Sequence, residues 1–391
     1  MLSSPPPLGR PYPDPGSVPP PLFPAAPLAG AISRPAIVPV REQKVSGTAR
    51  GSDYAALSRA VRSAGLLNRR PGAYAVRITV TLLLYAAIWA AVAVIGDSWW
   101  QMVTAVLLGI AFTQVAFLGH DAGHQQIFAR RRANDLFGQL TGNLLIGLSY
   151  GWWVSKHSRH HANPNQEGHD PDIGEGVLAF TTGQVAARTR WLGRAVTRRQ
   201  AWLFFPLLTL EGVNLRVAGL LSLRPGAQRS DRGGHRRIEL LLLVASLAAC
   251  AGFLLLVMSP LKALAFAAVQ QAVFGLYMGC SFAPNHKGMP TIGADEHVDY
   301  LRRQVLTSRN VRGGALTDLV LGGLNYQIEH HLFPSMPRPS LRRAQHLVRS
   351  YCAGHDIGYA ETSLIGSYAA ALRHLSQLGA PLRQPSRPTG A

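Results

Sequence analysis

Four long apolar stretches without a charged residue stand out along this chain of 391 residues. They are residues 78–95, 99–119, 240–259 and 263–282, and short turns at 96–98 and 260–262 divide them into two pairs. A stretch of about 20 apolar residues crosses a bilayer as a helix, whereas buried helices of soluble proteins rarely run so long without a charge. The pattern predicts an all-α integral membrane protein with four transmembrane helices in two hairpins.

The composition changes on both sides of these stretches. Residues 1–50 contain two triple-proline runs and few large apolar side chains, so we predict a disordered, proline-rich N-terminal segment. Residues 51–350 are predicted to form the membrane domain, which ends in a helical cap broken at Pro334, Pro337 and Pro339. Residues 351–391 are predicted to be a C-terminal cytosolic tail.

Basic residues concentrate on one side of the predicted bundle. Residues 119–240 contain sixteen Arg or Lys, whereas the two short turns contain a single lysine between them. The positive-inside rule therefore places this loop, the cap and both termini on the cytoplasmic side, of the plasma membrane if the source is bacterial. The net charge of +19 is spread without a compact basic domain, so we expect contact with membrane lipid and none with nucleic acid.

Eight of the fourteen histidines lie beside apolar stretches. They form three clusters and one isolated site: His120 and His124; His157, His160 and His161; His330 and His331; and His286. Residues three and four apart share a face of a helix, so each cluster can direct its imidazoles at one spot. Eight nitrogen donors exceed the four ligands of a zinc site and suit two metal ions. Other histidines are expected to be ordinary core or surface residues, such as His235, His346, His355 and His374.

Two further apolar stretches do not fit the four-helix scheme. Residues 136–155 are uncharged and long enough to cross, but crossing would put His120 and His157 on opposite sides of the membrane. We therefore expect this segment to be re-entrant, interfacial or packed inside the protein. Residues 201–210 are too short to span and are predicted to form an interfacial helix.

Several polar side chains near the histidines are candidates for supporting roles, and no catalytic side chain beyond the metal centre is predicted. Carboxylates can accept the second ring hydrogen of a ligating histidine, and the candidates are Asp121, Asp170, Asp172 and Glu329. Gln327 occupies the position that His157 holds in the second cluster, so it and Asn285 are candidate ligands or neighbours of ligands. Candidates for lipid headgroup contact are Lys156, Trp152 and Trp153.

Four features, in order, resemble the histidine motifs of the membrane fatty acid desaturases. They are His120-Asp121-x-x-His124, His157-x-x-His160-His161, Asn285-His286-Lys287 and Gln327-x-x-His330-His331. The resemblance covers about residues 70–350. It implies a four-span helical bundle with a cytosolic cap carrying the histidines. It further implies two non-haem iron ions held almost wholly by histidine, and O2-dependent introduction of a cis double bond into a long acyl chain.

Glutamine at the head of the third cluster resembles the front-end subgroup, whose members add a double bond on the carboxyl side of an existing one. Many of those enzymes carry a fused cytochrome b5 domain with a His-Pro-Gly-Gly motif, which this sequence does not contain. The resemblance therefore implies electrons from NAD(P)H through a separate reductase and carrier, such as a ferredoxin or cytochrome b5. It leaves both acyl-CoA and acyl-lipid open as substrates.

Other functions remain possible at this point. A related membrane di-iron hydroxylase or a sphingolipid-modifying enzyme would use the same ligands. A metal transporter would place its polar ligands within the spans rather than at their ends, and a structural membrane protein would not need this histidine spacing. The three cysteines show no paired spacing, which disfavours a disulfide framework or a cysteine-ligated cluster.

Overall fold

The computed structural model describes residues 53–227 and 236–383. The chain divides into two units, Met1–Arg50 and Gly51–Ala391, and all described residues belong to the second. The predictions for residues 1–50, for His235 and for the end of the tail therefore lie outside the described residues.

The described part of the chain is mostly helical. Its helices in chain order are α1 (Asp53–Ser63), α2 (Pro71–Ile95), α3 (Gln101–Gly123), α4 (Arg131–Gln139), α5 (Tyr150–Ala162), α6 (Thr182–Ala186), α7 (Trp191–Leu208), α8 (Glu211–Leu221), α9 (Arg236–Val257), α10 (Pro260–His286), α11 (Tyr300–Leu306), α12 (Ala315–Val320), α13 (Gln327–Leu332), α14 (Arg338–Gly354) and α15 (Leu364–Gly379). A π-helical turn covers Leu140–Leu145, and 3-10 turns cover Leu324–Tyr326 and Ala380–Leu382. Two short parallel strands, β1 (Asn310–Val311) and β2 (Glu361–Thr362), pair Asn310 with Glu361.

Four helices of the described residues are long and apolar enough to cross a membrane, namely α2, α3, α9 and α10. They correspond to the four predicted spans, and the all-α membrane fold is confirmed. Each helix differs in length from its apolar stretch, because helices continue into polar residues. Helix α2 begins at Pro71, a favoured first helical residue, and α10 continues to His286.

Helices α3 and α10 of the bundle approach each other closely. A Cβ atom on Gly109 of α3 would lie 2.9 Å from the Gln270 carbonyl oxygen and 2.9 Å from Val273 Cβ, so only glycine permits this approach. Buried apolar side chains surround the contact, including Leu108, Phe112, Phe266, Phe274 and Met278. The contact sets the distance between the two helices that carry His120 and His286.

Residues 136–155 do not form one continuous helix. The chain leaves α4, passes through the π-helical turn and starts again at Tyr150 in α5. Gly142, Asn143 and Ile146 are buried between these pieces. The segment thus lacks the unbroken helical length of a span, and its middle is packed inside the protein.

The prediction of a short interfacial helix at residues 201–210 is wrong in its bounds. These residues belong mostly to α7, an 18-residue helix that begins at Trp191. After a break of two residues, α8 continues at an angle of 83°. Together the two helices are apolar enough to form a broken span or a re-entrant loop. The first half of α7 is basic, so the apolar pattern of the sequence indicated only its second half.

The cap contains α11 to α15 and the two strands. Its core includes Leu301, Val305, Ile328, Leu332 and Met336, all fully buried. The predicted boundary at residue 350 falls inside α14, and the helix α15 that follows packs against α7 and α10. We therefore describe residues 51–391 as one unit.

Candidate metal centre

All eight clustered histidines converge where the ends of α3 and α10 meet α5 and α13. His120 lies in the last turn of α3 and His124 directly follows that helix. Helix α5 contributes three histidines and α13 contributes two, while His286 is the last residue of α10. Four separate helices thus bring donors to one region.

The histidines form two groups. The first histidine group consists of His120, His124, His157 and His330, whose candidate ligand atoms all lie within 4.8 Å of one another. The second histidine group consists of His160, His286 and His331, by the same criterion. His161 lies between them: its ring stacks on His331 with centroids 4.2 Å apart, and its Nε2 is 3.1 Å from His157 Nε2.

The grouping differs from the expectation that each sequence cluster points at one spot. His330 and His331 are neighbours in α13, yet they belong to different groups. Successive residues of an α-helix point about 100° apart, so adjacent histidines diverge. His157 and His160 of α5 are likewise divided between the groups. Only the His120–His124 pair serves a single group.

In the second group, the hydrogen bonds of one ring nitrogen determine what the other can do. Each ring donates its Nδ1 hydrogen to an oxygen 3.0 Å away: His160 to Asp170, His286 to the Thr307 carbonyl and His331 to Gln304 Oε1. When neutral, each ring then presents a lone pair on Nε2. These atoms lie 3.3 Å apart for His160 and His286 and 3.1 Å apart for His286 and His331. A single proton can bridge only one pair of these Nε2 atoms, whereas one metal ion can bind all three of them.

The first group also contains closely spaced ring nitrogens that a cation would stabilise. The Nε2 atoms of His120 and His330 are buried, and no described residue forms a hydrogen bond with either. His124 Nε2 lies 2.9 Å from His157 Nε2. Two imidazole nitrogens that bind one ion at about 2.1 Å and at right angles are about 3 Å apart, so these separations fit a shared ion.

Burial keeps most of these rings neutral. It lowers the pKa of five site histidines outside the spans well below the usual range: His124, His157, His161, His330 and His331. His160 differs, because the charge of Asp172 and the hydrogen bond to Asp170 outweigh its burial and raise its pKa. A neutral imidazole keeps the lone pair that a metal ion requires.

Comparison with known sequences decides the family. The sequence model of the fatty acid desaturase family matches residues 97–363. The chain belongs to this family. A protein named Delta(8)-fatty-acid desaturase from Helianthus annuus is 28% identical over 365 residues, which cover 89% of this chain and 77% of that protein. Fatty acid desaturase 3 from Bos taurus is 30% identical over 338 residues, which cover 84% and 73%.

A protein named Delta(8)-fatty-acid desaturase from Euglena gracilis is 32% identical over 262 residues, which cover 65% of this chain and 62% of that protein. The resemblance seen in the histidine motifs is confirmed. The chain is a membrane-embedded fatty acid desaturase, an oxidoreductase that acts on a fatty acyl substrate.

The carboxylates near the desaturase's histidines have different partners. Asp170 accepts from His160, and Asp172 forms an ion pair with Lys156 and lies 3.5 Å from the same histidine. Asp121 lies 3.4 Å from His120 Nδ1 and forms a buried 2.7 Å ion pair with Arg338. These three carboxylates therefore each lie against a histidine.

Glu329 does not contact a histidine, contrary to the expectation for it. It accepts hydrogen bonds from Asn310 (2.7 Å) and Tyr359 (2.8 Å), and burial raises its pKa to about 7. Asn310 Oδ1 also accepts from the Ile328 amide at 2.9 Å. Glu329 and Asn310 thus hold α13 in place rather than orienting an imidazole.

Among the residues expected at the headgroup level, Trp153 lies against the site. The Trp153 ring stacks on His157 with centroids 4.6 Å apart. Gly123 permits this position, since a Cβ atom there would come within 2.5 Å of the indole. The charge of Lys156 is engaged by Asp172, and its Nζ lies 5.9 Å from the Trp152 ring centroid. Headgroup contact by these side chains remains a prediction.

Gln327 and Asn285 lie beside the second group. Asn285 Nδ2 donates to the carbonyls of Leu324 (3.1 Å) and Ser281 (3.3 Å), which fixes the orientation of its amide. The same nitrogen contacts Gln327 Oε1 at 3.1 Å. Gln327 Nε2 therefore faces His286 Nε2, 2.9 Å away. The glutamine presents a hydrogen-bond donor to the second group.

Sequence reasoning missed the partners that lie far away along the chain. Gln304 donates to the His161 carbonyl at 3.0 Å and accepts from His331, so it connects two helices that carry histidines. Thr307 acts through its backbone carbonyl, which has no sequence signal. Arg338 and Arg309 are buried, but the sequence does not distinguish them from the many exposed arginines.

Proposed function

We propose that this desaturase binds two iron ions, one at each histidine group, and uses O2 to introduce a cis double bond into a long acyl chain. The observation that carries the proposal is the convergence of imidazole nitrogens in both groups. Imidazole nitrogens also suit zinc and copper, and the family relationship favours iron. When bound, the iron ions would supply the activation of O2 that breaking an unactivated C–H bond requires.

The geometry supports a specific ligand set. The first ion would be held by His120, His124, His157 and His330, and the short contact with His157 assigns His161 to the same ion. The second ion would be held by His160, His286 and His331. Asp170, the Thr307 carbonyl and Gln304 keep the second set in the correct tautomer. Gln327 would act as a hydrogen-bond donor beside the second ion rather than as a ligand of that ion.

The apolar interior of the bundle is the proposed site of the acyl chain. Buried side chains such as Val115 on α3 and Met278 on α10 lie one to two turns before His120 and His286. Such a lining excludes water from the reacting methylene groups and holds the chain beside the centre. Either a CoA thioester or a membrane lipid could present this chain.

The position of the new bond is proposed from the relatives and from Gln327. The names of several relatives place their double bonds at Delta(8), Delta(6) or Delta(5). We expect this chain likewise to insert a bond on the carboxyl side of an existing one.

Product analysis tests the reaction and its position together. The chain is expressed with a reductase in a host fed saturated or monounsaturated acyl chains, and double bonds are located by mass spectrometry. A new cis bond between the carboxyl group and the existing bond is expected. A hydroxylated or sphingolipid product would favour the related enzyme classes instead. Desaturation of saturated chains alone would overturn the front-end assignment.

Electrons are proposed to come from NAD(P)H through a separate carrier that docks on the cytoplasmic side. The sequence contains neither a His-Pro-Gly-Gly haem motif nor a glycine-rich dinucleotide fingerprint. Positive charge in the loop between α3 and α9 supports the cytoplasmic orientation. Turnover by the purified chain with only NAD(P)H and O2 would overturn the proposal of a carrier.

A further inference from the structure

The end of α10, which carries Asn285 and His286, lacks hydrogen bonds that a regular helix would have. Pro284 has no amide hydrogen, so it cannot donate to the Cys280 carbonyl one turn earlier. The last carbonyls of any helix also lack partners within the helix. These unpaired groups lie directly beside a proposed metal ligand.

The C-terminal helix α15 supplies the missing partners. Tyr368 donates its hydroxyl to the Cys280 carbonyl at 2.6 Å, and Ser367 Oγ donates to the Pro284 carbonyl. Arg309, which is buried, donates to the carbonyls of Pro284 (2.5 Å) and Lys287 (2.8 Å) and to Ser367 Oγ (2.9 Å). The hydroxyl of Tyr368 thus occupies the role of the amide that Pro284 lacks.

This arrangement acts on the second histidine group alone. His286 lies between His160 and His331 in that group, and Asn285 holds Gln327 beside it. None of the first group's histidines belongs to α10. The family match ends at residue 363, one residue before α15 begins.

We propose that α15 is part of the metal centre's framework, with Tyr368 and Ser367 as positioning residues that hold His286 for the second metal ion. The proposal rests on the two-metal function proposed above. It predicts that loss of the Tyr368 hydroxyl weakens metal binding at the second group and leaves the first group unchanged.

The first test is a Tyr368→Phe variant of the full chain, stripped of metal and titrated with Fe(II) without O2. We expect about a fivefold loss of affinity in one of two binding phases, since one hydrogen bond is lost. Tyr351→Phe is the matched control, because Tyr351 donates to the Asp53 carbonyl away from α10. Unchanged affinity in both phases, or equal loss in both, would overturn the proposal.

The second test asks whether Tyr368 replaces the missing amide. Pro284→Ala restores an N–H that can bond to the Cys280 carbonyl, so Tyr368→Phe should have little further effect in that background. Equal loss of affinity with and without Pro284→Ala would contradict this role.

Hydrogen exchange on the metal-free protein separates this inference from the proposed function. Tyr368→Phe should speed exchange of the last amides of α10 about fivefold relative to wild type and to the Tyr351→Phe control. This readout does not require iron or activity. Unchanged exchange would contradict the positioning role of Tyr368 even if the chain binds two iron ions. A wild-type chain that binds one iron ion would contradict only the proposed function.

Discussion

Each second-group histidine has its Nδ1 fixed by an oxygen and its Nε2 beside the Nε2 of another histidine of the group. The donors were predictable from sequence because their spacing places them on helix faces. Their acceptors were only partly predictable: Asp170 lies near in the sequence, whereas Gln304 and the Thr307 carbonyl reach the site only through the fold. Long-range contacts of this kind leave no local pattern.

Gln327 provides a test at the residue scale, because its amide nitrogen rather than its oxygen faces His286. Gln327→Leu removes the donor but no metal ligand, so both irons should be retained while desaturation falls at least about tenfold, as expected for loss of a polar contact at a reacting centre. Metal analysis and product formation of the same preparation check this. Loss of one iron in the leucine variant would instead make Gln327 a ligand.

Gln327→Glu is the companion variant. The carboxylate can keep the contact with Asn285 through one oxygen and present the other to the second group. We expect tighter Fe(II) binding at the second group together with lower activity, because an added ligand fills an open position. Weaker iron binding by the glutamate variant would contradict the orientation that we assign to this side chain.

At the scale of elements, the sequence predicted the four spans because charge-free length is a local property. It did not predict that α15 packs against α7 and α10, since the amphipathic pattern of a helix does not name its partner. From the sequence, each histidine cluster was expected to point at one spot. In the structure, adjacent side chains diverge, so the histidines of α5 and of α13 are divided between two groups. The donors were thus predictable, and their division into groups required the fold.

The close contact between α3 and α10 gives a prediction for Gly109. Gly109→Ala places a methyl group 2.9 Å from the Gln270 carbonyl, so the helices must separate. We expect a destabilisation of about 1–3 kcal/mol, a lower thermal midpoint and reduced iron content, because His120 and His286 move apart. Thermal unfolding in detergent and metal analysis measure both effects.

Gly252→Ala is the matched control for this prediction. Gly252 lies in the membrane helix α9, and no atom of the described residues outside its local helix lies within 4 Å of the position of an added Cβ. Alanine should therefore be neutral or slightly stabilising there. If Gly109→Ala behaves like Gly252→Ala, the close helix contact does not set the geometry of the metal centre.

At the scale of the whole molecule, both histidine groups and the C-terminal helix should face the cytoplasm. Single cysteines at the exposed positions Glu175 and Gln377 should react with an impermeant maleimide only from the cytoplasmic side. A cysteine at Ser98, in the turn between α2 and α3, should react only from the other side. The background is a chain without its native thiols, Cys250, Cys280 and Cys352. If the cysteines at positions 175 and 377 react from opposite sides of the membrane, this topology is contradicted.

The iron content of the purified, active chain tests the two-group centre most directly. Quantitative metal analysis with Mössbauer spectroscopy should find two iron ions per chain. His286→Ala and His330→Ala should each lose mainly the ion of their own group, while the protein stays in the membrane. An active wild-type chain with one metal ion or none, or two variants that lose the same ion, would contradict the division into two histidine groups.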